Sequence, residues 1–198
     1  MKIVEFLPEL VGIIGTVGGI YLKDYLERRR AEKHKSDLND ETIDDLIKPI
    51  LDQIQFEMNA ARVCYWEGVN GTNTLSGFSI KKLSVMSESY SEEFHSIKDE
   101  LQLVPVESFK RNIKELRESV DDYYISHEFE KNDSLSVLHN RYGKKTVLLV
   151  KVYRKKKWVG VLSAGFIEEP RMFEKEEIQW LLLQAGRIGT VIDTNIKG

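Results

Sequence analysis

The chain has one cysteine, Cys64, in 198 residues. An intrachain disulfide therefore cannot form, and a multi-cysteine zinc site cannot be assembled. Histidine is nearly as scarce: His34, His95, His127 and His139 are scattered, and none stands at a metal-ligand spacing from another histidine or from Cys64. There is no Walker-type loop, dinucleotide fingerprint or Gly-x-Ser-x-Gly elbow, and Gly68 and Gly71 suit a hairpin turn better than a phosphate cradle. Strong positive charge is missing too. The formal net charge is −3, which argues against bulk attraction to nucleic acid. With no catalytic or metal constellation, the sequence reads as non-enzymatic and calls for no cofactor.

What the chain does have begins with one long apolar run. From Phe6 to Leu22 (FLPELVGIIGTVGGIYL) only Glu9 is charged, and Lys23, Asp24, Glu27, Arg28, Arg29 and Arg30 come next. A helix of about 17 residues spans about 26 Å, slightly short of a hydrocarbon core of about 30 Å. Positive charge comes after the run, and no small-residue cleavage site precedes the arginines, so a secretory signal fits poorly. The reading is a retained, single-pass membrane anchor over residues 1–30, the alternative being a helix buried in an assembly. Lys23, Arg28, Arg29, Arg30, Lys33 and Lys35 outweigh the acids of the same segment. The positive-inside rule then places the next domain in the cytoplasm. Gly15 and Gly19 form a small-xxx-small pair where a second helix backbone can approach, which makes them oligomer-interface candidates.

Residues 31–40 read as a linker or helical extension, and 41–195 as the folded domain. Ile43, Leu46, Ile47, Ile50, Leu51, Ile54 and Met58 repeat at helical spacing, and Pro49 inside that run predicts a kink or a restart. Arg62 to Glu67 reads as a strand, Gly68 to Gly71 as a turn and Ser76 to Met86 as a second strand. Between Tyr90 and Val120 there is one helical signal, at Phe109, Ile113 and Leu116. Tyr123 to Ile125 and Ser134 to Leu138 read as short strands. Thr146 to Tyr153 and Trp158 to Phe166 form a hairpin with a basic turn. Across it lies an amphipathic helix, Glu174 to Asp193, with Ile178, Leu181, Leu182, Ala185, Ile188 and Ile192 on one stripe.

These closing residues carry a resemblance: Trp158 to Phe166 (WVGVLSAGF), then Glu169, Pro170, Arg171 and Phe173, then Glu176 to Asp193 (EEIQWLLLQAGRIGTVID). They resemble the end of a GAF domain, the small-molecule sensing and dimerising relative of the PAS fold. The resemblance implies an α+β fold: a central antiparallel sheet, the first and last helices on one face, and pocket loops on the other. It also implies dimerisation through those two helices. A looser similarity over Ala61 to Tyr90 is to small GAF-like proteins of phages and bacteria that begin with a short membrane helix. Many of those carry His-Asn-Gly after the first strand, where this chain has Val69, Asn70 and Gly71. Free methionine sulfoxide reductases share the fold but rely on several cysteines, and the motif of the cyclic-nucleotide receptors does not thread here.

Trp66, Asn70, Phe78 and Lys82 lie on or beside the first hairpin and are the pocket-lining candidates. The competing reading makes Trp66 and Phe78 core, Asn70 a turn residue and Lys82 solvated. Trp180 stands off the main apolar stripe of the last helix, suited to an oligomer interface or to packing within its own domain. Lys155, Lys156 and Lys157 are either a solvated turn or a contact for an anionic membrane surface. The resulting expectation is a non-enzymatic, membrane-tethered sensory or interaction module that binds a protein partner or a small molecule and self-associates as a homo-oligomer. The alternative is a phage structural or membrane-associated protein that uses the fold as a packing unit.

Overall fold

The computed structural model describes residues 43–69, 81–127, 145–167 and 170–195. The chain divides into two units, Met1–Thr42 and Ile43–Gly198, and the described residues all belong to the second. The anchor expected over 1–30, the linker, Gly15, Gly19, Asn70, Phe78 and the strand expected at 134–138 lie outside the described residues. Among the described residues, no helix is long and apolar enough to cross a membrane.

The first helix, α1, covers 43–58. Ile43, Ile47, Ile50, Leu51, Ile54 and Met58 are buried along it, while Leu46, at the margin of the stripe, is 40% exposed. Pro49 does not interrupt the helix, contrary to the restart its position predicts. It lies on the exposed side, so the carbonyl that loses its helical donor faces water instead of the core.

Six strands come after it: β1 (Arg62–Val69), β2 (Lys82–Tyr90), β3 (Val104–Pro105), β4 (Tyr123–Ser126), β5 (Thr146–Arg154) and β6 (Lys157–Phe166). They form one antiparallel sheet in the order β3-β2-β1-β6-β5-β4. A 3-10 turn (Val106–Phe109) leads into α2 (Lys110–Glu118), and α3 (Lys175–Asn195) closes the domain. Strand alternation divides the core in two. Val63, Tyr65, Leu148, Val150, Leu162, Ala164 and Phe166 meet the apolar stripes of α1 and α3. Cys64, Trp66, Leu83, Val85, Val147, Leu149 and Val161 meet Ile97, Leu101, Val106, Phe109, Ile113 and Leu116. Burial on both faces is why the central strands read as unbroken apolar runs.

The second strand departs from expectation. It ends at Tyr90, four residues beyond Met86, with its polar residues pointing inward. Ser89 donates to Asp52 on α1 at 2.6 Å and Glu88 pairs with Arg62, while Ser87, fully buried opposite Tyr65 beside a bulge, has no hydrogen-bond partner for its Oγ among the described residues. In sequence, Ser87-Glu88-Ser89 looks like an exit to solvent.

Helices α1 and α3 lie side by side and antiparallel. Arg171, just before α3, donates to the Met58 carbonyl at the end of α1. It also pairs with Glu177 in the first turn of α3 at 2.5 Å. Further along, Arg187 donates to Gln53 at 3.2 Å. The Arg171 guanidinium stacks on Phe166 and Phe173, at 4.6 and 5.2 Å from their ring centroids, which gives the Arg171–Phe173 motif its structural meaning.

On α3, Leu181, Ala185, Ile188 and Ile192 are buried, while Leu182, expected in the same stripe, is only partly so. The deepest line runs instead through Gly189. A β-carbon there would lie 2.1 Å from the Tyr153 carbonyl oxygen, whereas one at Gly186 would meet nothing within 4 Å. Glycine thus lets α3 settle on β5 at one position and merely weakens the helix at the other. Gly189→Ala should cost about 1–3 kcal/mol through backbone displacement, and Gly186→Ala should stabilise by about 0.5–1 kcal/mol. Thermal melts followed by circular dichroism should move in opposite directions; equal shifts would show that α3 does not seat on β5 as described.

Candidate functional site

The sheet face opposite α1 and α3 is where a pocket was expected. Trp66 follows Cys64 at the strand period, so its indole faces the same layer, while the register shift beside it leaves Met86 of β2 as the extra residue. The indole Nε1 donates to Ser163 Oγ at 2.9 Å, and the ring meets Phe109 edge to face with centroids 5.5 Å apart. Between them, Leu83, Asn112, Ile113, Leu149 and Val161 line a half-open hollow of about 40 Å³. That is room for about one water or a methyl group, against about 300–1,000 Å³ in sites that enclose drug-sized ligands. Trp66 therefore lines the cavity and packs as core at once. Lys82 opens β2 at the surface and takes no part in the lining. Cys64 is 2% exposed and faces the same layer.

The wall of this layer is held by a buried ion pair that sequence spacing does not disclose. Arg62, at the start of β1, is 1% exposed and Glu88, near the end of β2, 5%; Nη1 donates to Oε2 at 2.6 Å. The second guanidinium nitrogen donates to the His95 carbonyl at 2.6 Å, and the group sits 5.0 Å from the Tyr90 ring centroid and 5.9 Å from that of Phe94. The Glu88 carboxylate also accepts from Ser96 Oγ and from the backbone N–H groups of Ile97 and Lys98 at 3.1 and 3.2 Å. Nothing in the composition singles out these two charges among many; only their inward strand positions do.

The two ends of the sheet differ. At the end where β1 begins, an open cleft of about 760 Å³ is lined by Gln55, Asn59, Ala61, Ser91, Glu93 and Arg171 among others. Its arginine is already engaged by the Met58 carbonyl and by Glu177. At the opposite end, Asp122 accepts from Tyr153 Oη at 2.7 Å and from Lys151 Nζ at 3.0 Å. Lys151, 9% exposed, donates further to the Ser119 carbonyl at 2.9 Å. Desolvation opposes ionisation of Asp122, but the bonds from Tyr153 and Lys151 outweigh it and hold the carboxyl below its ordinary value. Desolvation first, and then the bond to Asp122, push Tyr153 up to about 12. A tyrosine so shifted is a poor acid or base near neutrality, and the bonds to Asp122 fasten the start of β4 to β5.

Of the other predicted residues, Trp180 is half-buried and packs against the core beneath α3. Lys155, Lys156 and Lys157 are exposed in the β5–β6 turn, with Lys155 Nζ 3.4 Å from Asp193. Among the described residues, no group of three or more His, Cys, Asp or Glu side chains could hold a metal ion.

No family model matches the chain, and no curated protein does. Solved structures do. The blue-light absorbing form of the Thermosynechococcus elongatus PixJ GAF domain aligns at 14% identity with a TM-score of 0.58, covering 78% of this chain and 86% of that one. The photoproduct state of GAF3 from Slr1393 of Synechocystis sp. PCC6803 aligns at 15% identity and 0.58, covering 77% and 94%. A phycocyanobilin-bound GAF domain from a cyanobacterial phytochrome aligns at 13% and 0.59, covering 85% and 92%. At such identities the likeness speaks for the fold: the chain has a GAF-like α+β fold.

The raised tyrosine sets an alkaline limit. Folding holds the proton on Tyr153 up to about pH 12, while the unfolded chain releases it near its ordinary value of about 10. Between those values the folded state binds more protons, so stability falls as pH rises through that window. Tyr65, raised by burial and then by the Glu67 carboxylate, acts in the same sense. Tyr153→Phe should flatten the loss of stability between about pH 10 and 12. Denaturant melts at pH 9 and 11 check this, and an unchanged slope would mean that the phenol is free in solution.

Proposed function

We propose that the chain is a non-enzymatic, membrane-tethered interaction module. Its N-terminal apolar helix anchors it, and its cytoplasmic GAF-like domain works by self-association and by binding a protein partner. The observation that carries this reading is the small size of the space beneath Trp66 among the described residues. A space of about 40 Å³ holds no nucleotide and no bilin such as the one in the phytochrome GAF domain above.

Outward contact is better provided for. Phe56 on α1 is 80% exposed and Leu183 on α3 63%, and these are the two helices through which, by resemblance, GAF domains dimerise. Trp180 packs inward, so the apolar surface offered to a second copy comes from Phe56 and Leu183, with Gly15 and Gly19 pairing the anchors. Small-molecule sensing is the second reading, favoured by the apolar lining of the same cavity with Asn112 at its wall; it requires α2 to move away from the sheet. A phage structural role is the remaining alternative, and it predicts one fixed assembly without a heterologous partner.

The full chain should need detergent and scatter light as a dimer or larger. Phe56→Glu with Leu183→Glu, or Gly15→Leu with Gly19→Leu, should each reduce the assembled fraction at least severalfold. A full chain that stays monomeric in detergent-free buffer would contradict both the tether and the self-association.

A further inference from the structure

We propose that the end of the sheet carrying the β5–β6 turn docks onto an anionic phospholipid surface, with Lys155, Lys156 and Lys157 as the contact residues. This deepens the tethered-module reading and rests on it for the nearness of a bilayer.

The turn is built against its own backbone preference. Arg154 pairs with Lys157 across the ladder, which leaves a two-residue loop, and Lys155 and Lys156 take φ of +47° and +63°. Two successive left-handed residues make the hairpin turn in which Asn-Gly is favoured, because a β-carbon is penalised there. Two lysines are the wrong residues for the backbone. They are the right ones for a projecting positive charge, and strain kept in this way marks a site whose side chains are used.

Charge at this end is positive in excess. Two acids here are engaged: Asp193 lies 3.3 Å from Arg154 and 3.4 Å from Lys155, and Asp122 is taken by Lys151 and Tyr153; Asp121 and Glu107 are exposed, the latter next to Val106, whose N–H donates to the Lys81 carbonyl. Glu67 is half-buried. Lys156 and Lys157 are exposed, as are Lys81 and Lys82, which the pairings Val69↔Lys82 and Glu67↔Gly160 bring to the same end of the sheet. A rim of lysines of this kind attracts anionic headgroups through summed point charges and needs no pocket.

The test uses the full chain reconstituted from detergent into vesicles of phosphatidylcholine alone or with about 30% phosphatidylserine, and follows the rate of tryptic cleavage at Arg154 to Lys157. Cleavage should slow on the serine-containing vesicles only, and raising salt to about 0.5 M should restore it. Each lysine neutralised should lower the protection ratio about fivefold. Lys155→Asn with Lys156→Gly relieves the backbone strain, so this variant should melt a few degrees higher and yet lose protection, which rules out misfolding as the cause. Equal rates on both vesicles, protection on both, or protection by a duplex oligonucleotide in place of the anionic vesicles would each overturn the proposal. Alkaline carbonate extraction of the same samples reads the anchor separately: a chain that is extracted while its turn stays salt-sensitively protected removes the tether and leaves the docking surface standing.

Discussion

The buried pair of Arg62 and Glu88 decides what kind of interior this domain has. A charge this deep is tolerable only when it is paired and hydrogen-bonded, and removing one partner of such a pair typically costs about 3–5 kcal/mol. Here Glu88 is met by Arg62, Ser96 and the N–H groups of Ile97 and Lys98. The carboxylate thus draws residues 95–98 across the sheet. Once that segment is fixed, Ile97 and Leu101 reach Leu83 and Val85, and Phe109 closes against Trp66. The space left over is small because each of these contacts sets up the next.

The same logic gives the two ends of the sheet different characters. Where β1 begins, Arg171 joins the end of α1, the start of α3 and the aromatic pair Phe166 and Phe173, so the cationic group is spent on structure. Where β5 ends, the cations outnumber their partners and project from a strained turn. One end is locked and the other is presented. On the function proposed above, such a domain acts through its surfaces: the outer faces of α1 and α3, and the basic rim.

Much of this was legible in the sequence, and the failures are instructive. The last hairpin and α3 are local, continuous and strongly patterned, so Thr146 to Tyr153, Trp158 to Phe166 and the stripe through Leu181 and Ile188 could be read directly. Pro49 misled because its cost depends on which side of the helix it occupies, which no local rule states. The β2 boundary misled because Ser87, Glu88 and Ser89 look solvated until the partners of the last two, 26 to 37 residues away, are known. The Arg62–Glu88 pair was invisible for the same reason: it depends on register between strands, and register is a property of the assembled sheet. Trp66 was recognised as inward-facing, yet whether it borders a ligand-sized space depended on Phe109, far along the chain and on another element.

Packing of the sheet face opposite α1 and α3 by the side chains of the described residues is tested most directly by hydrogen exchange at the Ile97 and Lys98 amides. Both N–H groups donate to Glu88, and that of Lys98 also reaches Ser96 Oγ at 3.3 Å, itself bonded to Glu88. Protection approaching that of the β1 and β2 amides is expected, lost together at both sites in Glu88→Gln. Exchange at Ile97 and Lys98 as fast as in an unstructured peptide, with β1 and β2 still protected, would mean that the segment opens freely and that a ligand-sized pocket lies behind it.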